Sequence, residues 1–201
     1  PAVIIAPAGG SMYNGKKIHE DSMAEHLPYA EAGFVVIGYE VSGALPEDPT
    51  DDDALRCAAA FAKRKGGVDD ARDAARLAMR RHPFIDASQL YAAGHSSAGT
   101  QSLQLAQYAP SIKGCIAFAP VVDVSDYLGE DALDVLKDTG IPELVRDHSP
   151  HLHVAKIACP VFLFAAEDDD VVAVESIQSY AAQLGIAGRD VTYVEVESGG
   201  H

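Results

Sequence analysis

The chain has 201 residues, of which 48% are hydrophobic and 22% are charged, a composition typical of one globular domain with a sizeable core. It excludes intrinsic disorder and a fibrous repeat. Asp and Glu number 30 against 15 Lys and Arg, so the formal net charge is −15 at pH 7. Because such a charge repels phosphate backbones and anionic lipids, we expect neither nucleic acid nor a membrane as partner.

Six short apolar runs predict six β-strands. They are residues 2–6, 34–37, 90–93, 115–119, 161–165 and 191–196. Most runs are continuous rather than alternating, as in strands covered on both faces, and helix-like stretches separate most of them. The pattern predicts an α/β fold, a three-layer sandwich with a mostly parallel sheet and helices on both faces.

Five helices are predicted between these strands, at about 21–32, 51–65 and 69–81, after Ser97, and at about 173–184. The second begins with a variant capping box, Thr50 followed by Asp53. Two connections are long, 43–53 and 121–160. Because long connections often cover a site, we expect 121–160 to be a lid or insertion within a single domain, 1–201.

The cysteines and the chain ends carry further expectations. Cys57, Cys115 and Cys159 are odd in number and widely spaced beside apolar residues, which predicts buried free thiols. No apolar run approaches the roughly 18 residues of a membrane span, and no basic leader precedes the first strand. The chain has no initiator Met and stops at His201, so we expect it to be an excerpt of a longer protein.

A serine turn follows the third predicted strand. Residues 94–98 read Gly-His-Ser-Ser-Ala, which matches G-x-S-x-G with Ala98 in place of the second glycine. Small residues suit positions 94 and 98 because the turn between strand and helix is tight. The pattern predicts a nucleophile elbow with Ser96 as nucleophile and the Ser97 N–H as an oxyanion donor. The alternative is an ordinary strand-to-helix turn of a Rossmann-like domain.

An acidic turn and a histidine follow two later strands. The strand 161–165 runs into Glu167 and three aspartates, and the strand 191–196 runs into Glu-Ser-Gly-Gly and His201. The order serine, acid, histidine is that of an α/β-hydrolase triad. It predicts His201 as general base and an acid among residues 167–170.

Four stretches together resemble the α/β-hydrolase fold, and within it the dienelactone hydrolases and the hydrolase domain of the prolyl oligopeptidase family. They are residues 84–86, 94–99, 149–160 and 199–201. Residues 166–169 are similar to the family's G-x-x-D with Ala166 for the glycine, which implies Asp169 as the triad acid. Asp168 and Asp170 are the alternatives, and the carboxylates outside the triad are expected to be solvated turn residues.

The glycine loop at residues 7–11, Pro-Ala-Gly-Gly-Ser, is similar to the family loop that usually contains His-Gly-Gly. The resemblance implies a second oxyanion donor from this loop. Pro7 has no N–H, so we expect Gly9 or Gly10 to donate, or else Ala8. The alternative is a plain glycine turn without a catalytic role.

Neither a metal nor a cofactor is expected. His148, His151 and His153 flank Pro150 in a segment that similar proteins use as a connector, and the acidic run 47–53 reads as a solvated helix start. His95 is expected to pack beside the turn or to orient it.

The resemblance implies a serine hydrolase that forms an acyl-enzyme, and we expect one that cleaves carboxylic esters of small or medium acyl groups. One alternative is a serine peptidase or acylaminoacyl hydrolase related to prolyl oligopeptidase, acting on a peptide substrate. A non-catalytic relative that binds a small molecule or a protein is the third hypothesis.

Overall fold

A parallel β-sheet forms the centre of the computed structural model, which describes residues 1–201. The strands are β1 (Ala2–Ile5), β2 (Val35–Gly38), β3 (Leu90–His95), β4 (Ile112–Phe118), β5 (Val161–Ala166) and β6 (Val191–Val196). Their spatial order is β2-β1-β3-β4-β5-β6, and every neighbouring pair is parallel. All six predicted strands are present, and the predicted α/β class is confirmed.

Seven α-helices and one 3-10 helix surround the sheet. They are α1 (Ser22–Glu31), α2 (Asp51–Lys63), α3 (Val68–Arg81), α4 (Ser97–Tyr108), α5 (Val124–Val135), α6 (Ile141–His148), the 3-10 helix (Pro150–Lys156) and α7 (Val174–Ile186). The capping box predicted for α2 is formed. The Asp53 N–H donates to the Thr50 hydroxyl at 3.2 Å, and the Thr50 N–H donates to the Asp53 carboxylate at 3.1 Å.

The two faces of the sheet are covered unequally. Buried side chains of α2, α3, α4, α6 and α7 form the main core with one face, where Leu103, Leu163 and Tyr180 have no exposed surface. The other face carries a smaller cluster of Val3, Ile5 and Ala93, and Tyr29 of α1 packs against it. Helices therefore lie on both faces, as predicted, with α1 on the less covered side.

Beyond α1 this second face stays partly open. Side chains of β4 and β5 that point to it are half-buried, among them Phe118 and Phe162, whereas Ala117 and Leu163 point the other way and are buried. A cavity of about 720 Å³ lies between α1 and these aromatic side chains.

Residues 121–160 contain α5, α6 and the 3-10 helix. Ile141 and Ile157 have no exposed surface and belong to the main core, so the later half of this segment is built into the domain. Its role as a lid or insertion stays a prediction.

The three cysteines are buried and form no disulfide, as predicted. No helix combines the length and the apolar character that crossing a membrane requires.

Candidate active site

The turn between β3 and α4 holds Ser96 in an uncommon backbone conformation. Its φ is 56° and its ψ is −126°, a positive φ that few residues other than glycine adopt. The Ser96 N–H donates to the carbonyl of Phe118 at 2.9 Å, which ties the turn to β4. A Cβ at position 94 would lie 2.4 Å from the carbonyl carbon of Ala98, so the turn requires Gly94. The Ser96 side chain is thereby fixed at the carboxyl ends of the strands.

Ser96, His201 and Asp169 form a continuous chain of hydrogen bonds. His201 Nε2 lies 2.8 Å from Ser96 Oγ, and His201 Nδ1 lies 2.9 Å from Asp169 Oδ2. An ionised carboxylate only accepts hydrogen bonds, so Nδ1 carries a proton and donates to Asp169. In the neutral ring Nε2 is then the acceptor for the Ser96 hydroxyl. This direction suits the transfer of a proton from serine to histidine.

The Asp169 carboxylate is buried and well supplied with donors, since its side chain is 1% exposed. Burial alone would raise its pKa, but hydrogen bonds from the Val172 N–H, from His201 and from the Val171 N–H outweigh burial and lower the pKa below its ordinary value. Both backbone donors lie 2.9 Å from Oδ1. Asp169 therefore stays ionised at neutral pH behind His201.

The other two aspartates of the acidic turn do not contact the His201 ring. Asp168 Oδ1 accepts the N–H groups of Gly199 and Gly200, at 2.9 and 2.8 Å. The exposed Asp170 side chain makes no hydrogen bond. Of the three aspartates considered from the sequence, Asp169 alone faces His201. Asp168 is an exposed turn residue, as expected, and its carboxylate also accepts the two glycine N–H groups, a contact that was not predicted from the sequence.

The predicted oxyanion donors lie where β1 and β3 end. The Ser97 N–H belongs to the first turn of α4, where backbone N–H groups have no acceptor within the helix. The Gly9 N–H has no partner, and the Gly9 carbonyl accepts a hydrogen bond from Lys16 at 3.3 Å. The Gly10 N–H instead donates to Ser97 Oγ at 2.8 Å, so it is already occupied. Of Ser97, Gly9 and Gly10, the Ser97 and Gly9 N–H groups are unoccupied, and the N–H of the alternative Ala8 has no partner either.

His95 and Glu25 border the site on the α1 side. The ring centroids of His95 and His201 are 4.7 Å apart, and His95 Nδ1 lies 3.9 Å from Glu25 Oε1. His95 thus packs against the His201 ring.

The histidines near Pro150 are not brought together around a common point. His151 Nδ1 lies 3.1 Å from the carbonyl of Val122, and the rings of His148 and His153 pack around Tyr108. No group of three or more His, Cys, Asp or Glu residues is arranged to hold a metal ion.

Solved structures share this fold over the whole chain. The uncomplexed acylaminoacyl peptidase of Pyrococcus horikoshii is similar with a TM-score of 0.78 and 17% identity. An acylaminoacyl peptidase in complex with Z-Gly-Gly-Phe-chloromethyl ketone gives 0.77 and 18%, and a puromycin-hydrolyzing peptidase of Mycobacterium tuberculosis gives 0.73 and 20%. Each match covers 100% of this chain, which spans 33% of the first two structures and 31% of the third.

The sequence itself identifies the family. No curated protein matches it. The model of the prolyl oligopeptidase family matches residues 22–201, which include the serine turn, the acidic turn and the terminal histidine. The chain belongs to the prolyl oligopeptidase family.

Proposed function

We propose that this member of the prolyl oligopeptidase family is the catalytic unit of a serine peptidase, with Ser96 as nucleophile, His201 as general base and then acid, and Asp169 as the group that orients His201. The observation that carries the proposal is the hydrogen-bonded chain from Ser96 Oγ through His201 to Asp169, at 2.8 and 2.9 Å. Both distances lie within hydrogen-bond reach, which supports the assignment of a nucleophile, a base and an orienting acid.

The proposed reaction begins when Ser96 Oγ attacks the carbonyl carbon of the scissile bond and its proton passes to His201 Nε2. Asp169 stabilises the imidazolium, and the Ser97 and Gly9 N–H groups donate to the oxyanion. The leaving amine takes the proton from His201 as the carbon–nitrogen bond breaks. A water molecule, deprotonated by His201, then attacks the acyl-enzyme and releases the acid and Ser96.

The scissile bond is proposed to be an amide, in a peptide or an acylaminoacyl substrate. The solved structures with this fold are named as acylaminoacyl peptidases and puromycin-hydrolysing enzymes, and one holds a chloromethyl ketone built on Gly-Gly-Phe. The comparisons therefore support the peptidase hypothesis better than the ester cleavage preferred from the sequence. Ester cleavage remains the expected easier reaction of the same nucleophile, because resonance with the nitrogen stabilises an amide carbonyl and the nitrogen must be protonated before it leaves.

A fluorophosphonate probe tests the catalytic assignment. We expect wild-type protein to be labelled and Ser96→Ala to be unlabelled. Ser102→Ala is the matched control, because this buried serine lies in α4 and its hydroxyl bonds to the Ala98 carbonyl. Labelling of Ser96→Ala, or absence of labelling in wild type, contradicts the catalytic proposal, and the second outcome favours the non-catalytic binding hypothesis.

The bond type is tested by comparing N-acyl aminoacyl p-nitroanilides with p-nitrophenyl esters of the same acyl group. We expect release of nitroaniline that depends on Ser96. Cleavage of the esters with no anilide cleavage across a panel of aminoacyl groups would return the assignment to an esterase.

A further inference from the structure

Residues 197–201, the loop segment that carries His201, make few hydrogen bonds. Residues 197–201 follow β6 without regular structure, and β6 lies at the edge of the sheet, paired with β5 alone. The loop makes hydrogen bonds to three residues, Asp168, Asp169 and Ser96. Two of these are members of the proposed triad. Asp168 is therefore the one polar attachment of this loop outside the triad.

The contact between Asp168 and the loop involves two consecutive backbone N–H groups. Gly199 and Gly200 both donate to Asp168 Oδ1, at 2.9 and 2.8 Å. Gly200 has φ 65°, in the left-handed region, so the backbone turns between these two N–H groups and His201. Hydrogen bonds to an ionised acceptor are stronger than those between neutral groups, so one carboxylate holds the backbone immediately before the histidine.

A glycine pair needs such an attachment because glycine loses more conformational freedom on ordering than any other residue. Without it, the hydrogen bonds left to residues 197–201 are those of the His201 ring, which also packs against His95. A shift of about 1 Å in a reacting group costs on the order of 100-fold in rate. The position of His201 Nε2 relative to Ser96 Oγ therefore depends on how the backbone at Gly199 and Gly200 is held.

We propose that Asp168 is a positioning residue, whose carboxylate fixes the His201 loop through the N–H groups of Gly199 and Gly200 and so holds His201 in hydrogen-bonding reach of Ser96. This inference rests on the proposed function, since it assigns Asp168 a role in the same site. In this proposal Asp168 binds the backbone of the loop, whereas Asp169 binds the His201 ring.

The test compares Asp168→Ala, Asp168→Asn and the control Asp170→Ala in the whole protein. Asp170 is exposed, carries the same charge two residues away and makes no hydrogen bond. We expect Asp168→Ala to lower kcat and the rate of fluorophosphonate labelling by about 10- to 100-fold with little change in KM. Asp168→Asn keeps an acceptor oxygen but loses the charge, so it is expected to regain part of the rate, and Asp170→Ala is expected to stay within about twofold of wild type.

A second measurement reports on the contact itself. With 15N-glycine labelling, we expect the amide hydrogens of Gly199 and Gly200 to exchange faster with solvent in Asp168→Ala than in Asp170→Ala. This readout does not depend on catalysis. If wild-type protein proves inactive, the proposed function fails, while amide exchange still tests whether Asp168 holds the loop.

Three results would overturn the inference. One is an Asp168→Ala enzyme as active as Asp170→Ala. Another is an equal loss in Asp168→Asn and Asp168→Ala, because the acceptor oxygen is then irrelevant. The third is a reduced melting temperature in Asp168→Ala with unchanged exchange at Gly199 and Gly200, which would assign the residue to general stability.

Discussion

Replacing Asp169 by asparagine is expected to remove most of the activity while the fold persists. The two sides of the carboxylate are not equivalent in the structure. Oδ1 accepts the N–H groups of Val171 and Val172, both at 2.9 Å, whereas Oδ2 lies 2.9 Å from His201 Nδ1. In Asp169→Asn the two backbone donors hold the amide oxygen at the Oδ1 position, so the NH₂ group faces the histidine ring.

The NH₂ group then donates to His201 Nδ1, which must give up its proton. The neutral ring carries its proton on Nε2 instead, pointing at Ser96 Oγ, and no longer accepts from the serine. The equivalent change in a Ser-His-Asp enzyme lowers kcat by about 10⁴-fold, which corresponds to about 5.4 kcal/mol of barrier. Because the two bonds to Oδ1 survive, the free energy of unfolding should change by no more than about 1 kcal/mol.

The assay is kcat for an aminoacyl anilide, together with urea unfolding followed by circular dichroism. Asp170→Asn removes the same charge from an exposed position and serves as the control. An Asp169→Asn enzyme within tenfold of wild type would refute the assignment of Asp169 and the tautomer argument together. A large loss of stability in the variant would instead show that the backbone contacts do not select the amide orientation.

Three further outcomes concern stability. Ser97→Ala leaves the Gly10 N–H without its acceptor, so the free energy of unfolding in urea should fall by about 1 kcal/mol. Ser102→Ala should lower it less, because the Ser102 hydroxyl donates to a carbonyl within α4. Equal losses in the two variants would contradict this. Gly94→Ala places a Cβ against backbone atoms of Ala98 and should lower the free energy of unfolding by about 1–3 kcal/mol. Gly185→Ala in α7 has open space at its Cβ and should leave stability unchanged or raise it. A Gly94→Ala protein as stable as wild type would contradict the tight packing of the turn. Burial and, after it, the charge of Lys156 lower the pKa of His148 from 6.5 to about 4 in the folded protein. The unfolded chain therefore binds the proton at a higher pH, and the free energy of unfolding falls as the pH drops from about 6.5 toward 4. After a discount for partial exposure, wild type should lose about 1 kcal/mol more than His148→Gln between pH 7 and pH 5, and equal losses would contradict the lowered pKa.

The convergence of Ser96, an acidic turn and His201 was predictable because parallel strands end at one edge of a sheet. Ser96 and His201 are 105 residues apart in sequence, yet each follows the carboxyl end of a strand. Strand and helix types followed from apolar runs and caps. The start of β4 was not predicted correctly, because Lys113 is exposed and Gly114 lies against the ring of Tyr91. The apolar run therefore begins at residue 115, later than the strand.

Helices α5 and α6 were not predicted, and local chemistry explains why. Gly129 interrupts α5 with φ 76°, and Pro142 stands in the first turn of α6. Both residues read as loop signals in a sequence. The occupation of the Gly10 N–H and the reach of Asp168 to the terminal glycines were also missed. Such contacts depend on atomic positions within about 3 Å, which residue spacing does not encode.

Because β6 lies at the edge of the sheet, we expect the proposed activity to be lost before the fold is lost. Strands with a single neighbour open at lower free energy than central strands such as β3, which is paired on both sides. Peeling β6 away carries His201 out of reach while the serine turn and the helical layer on the main core stay intact. Mild denaturant should therefore abolish the proposed peptidase activity at concentrations where the helical content is still native.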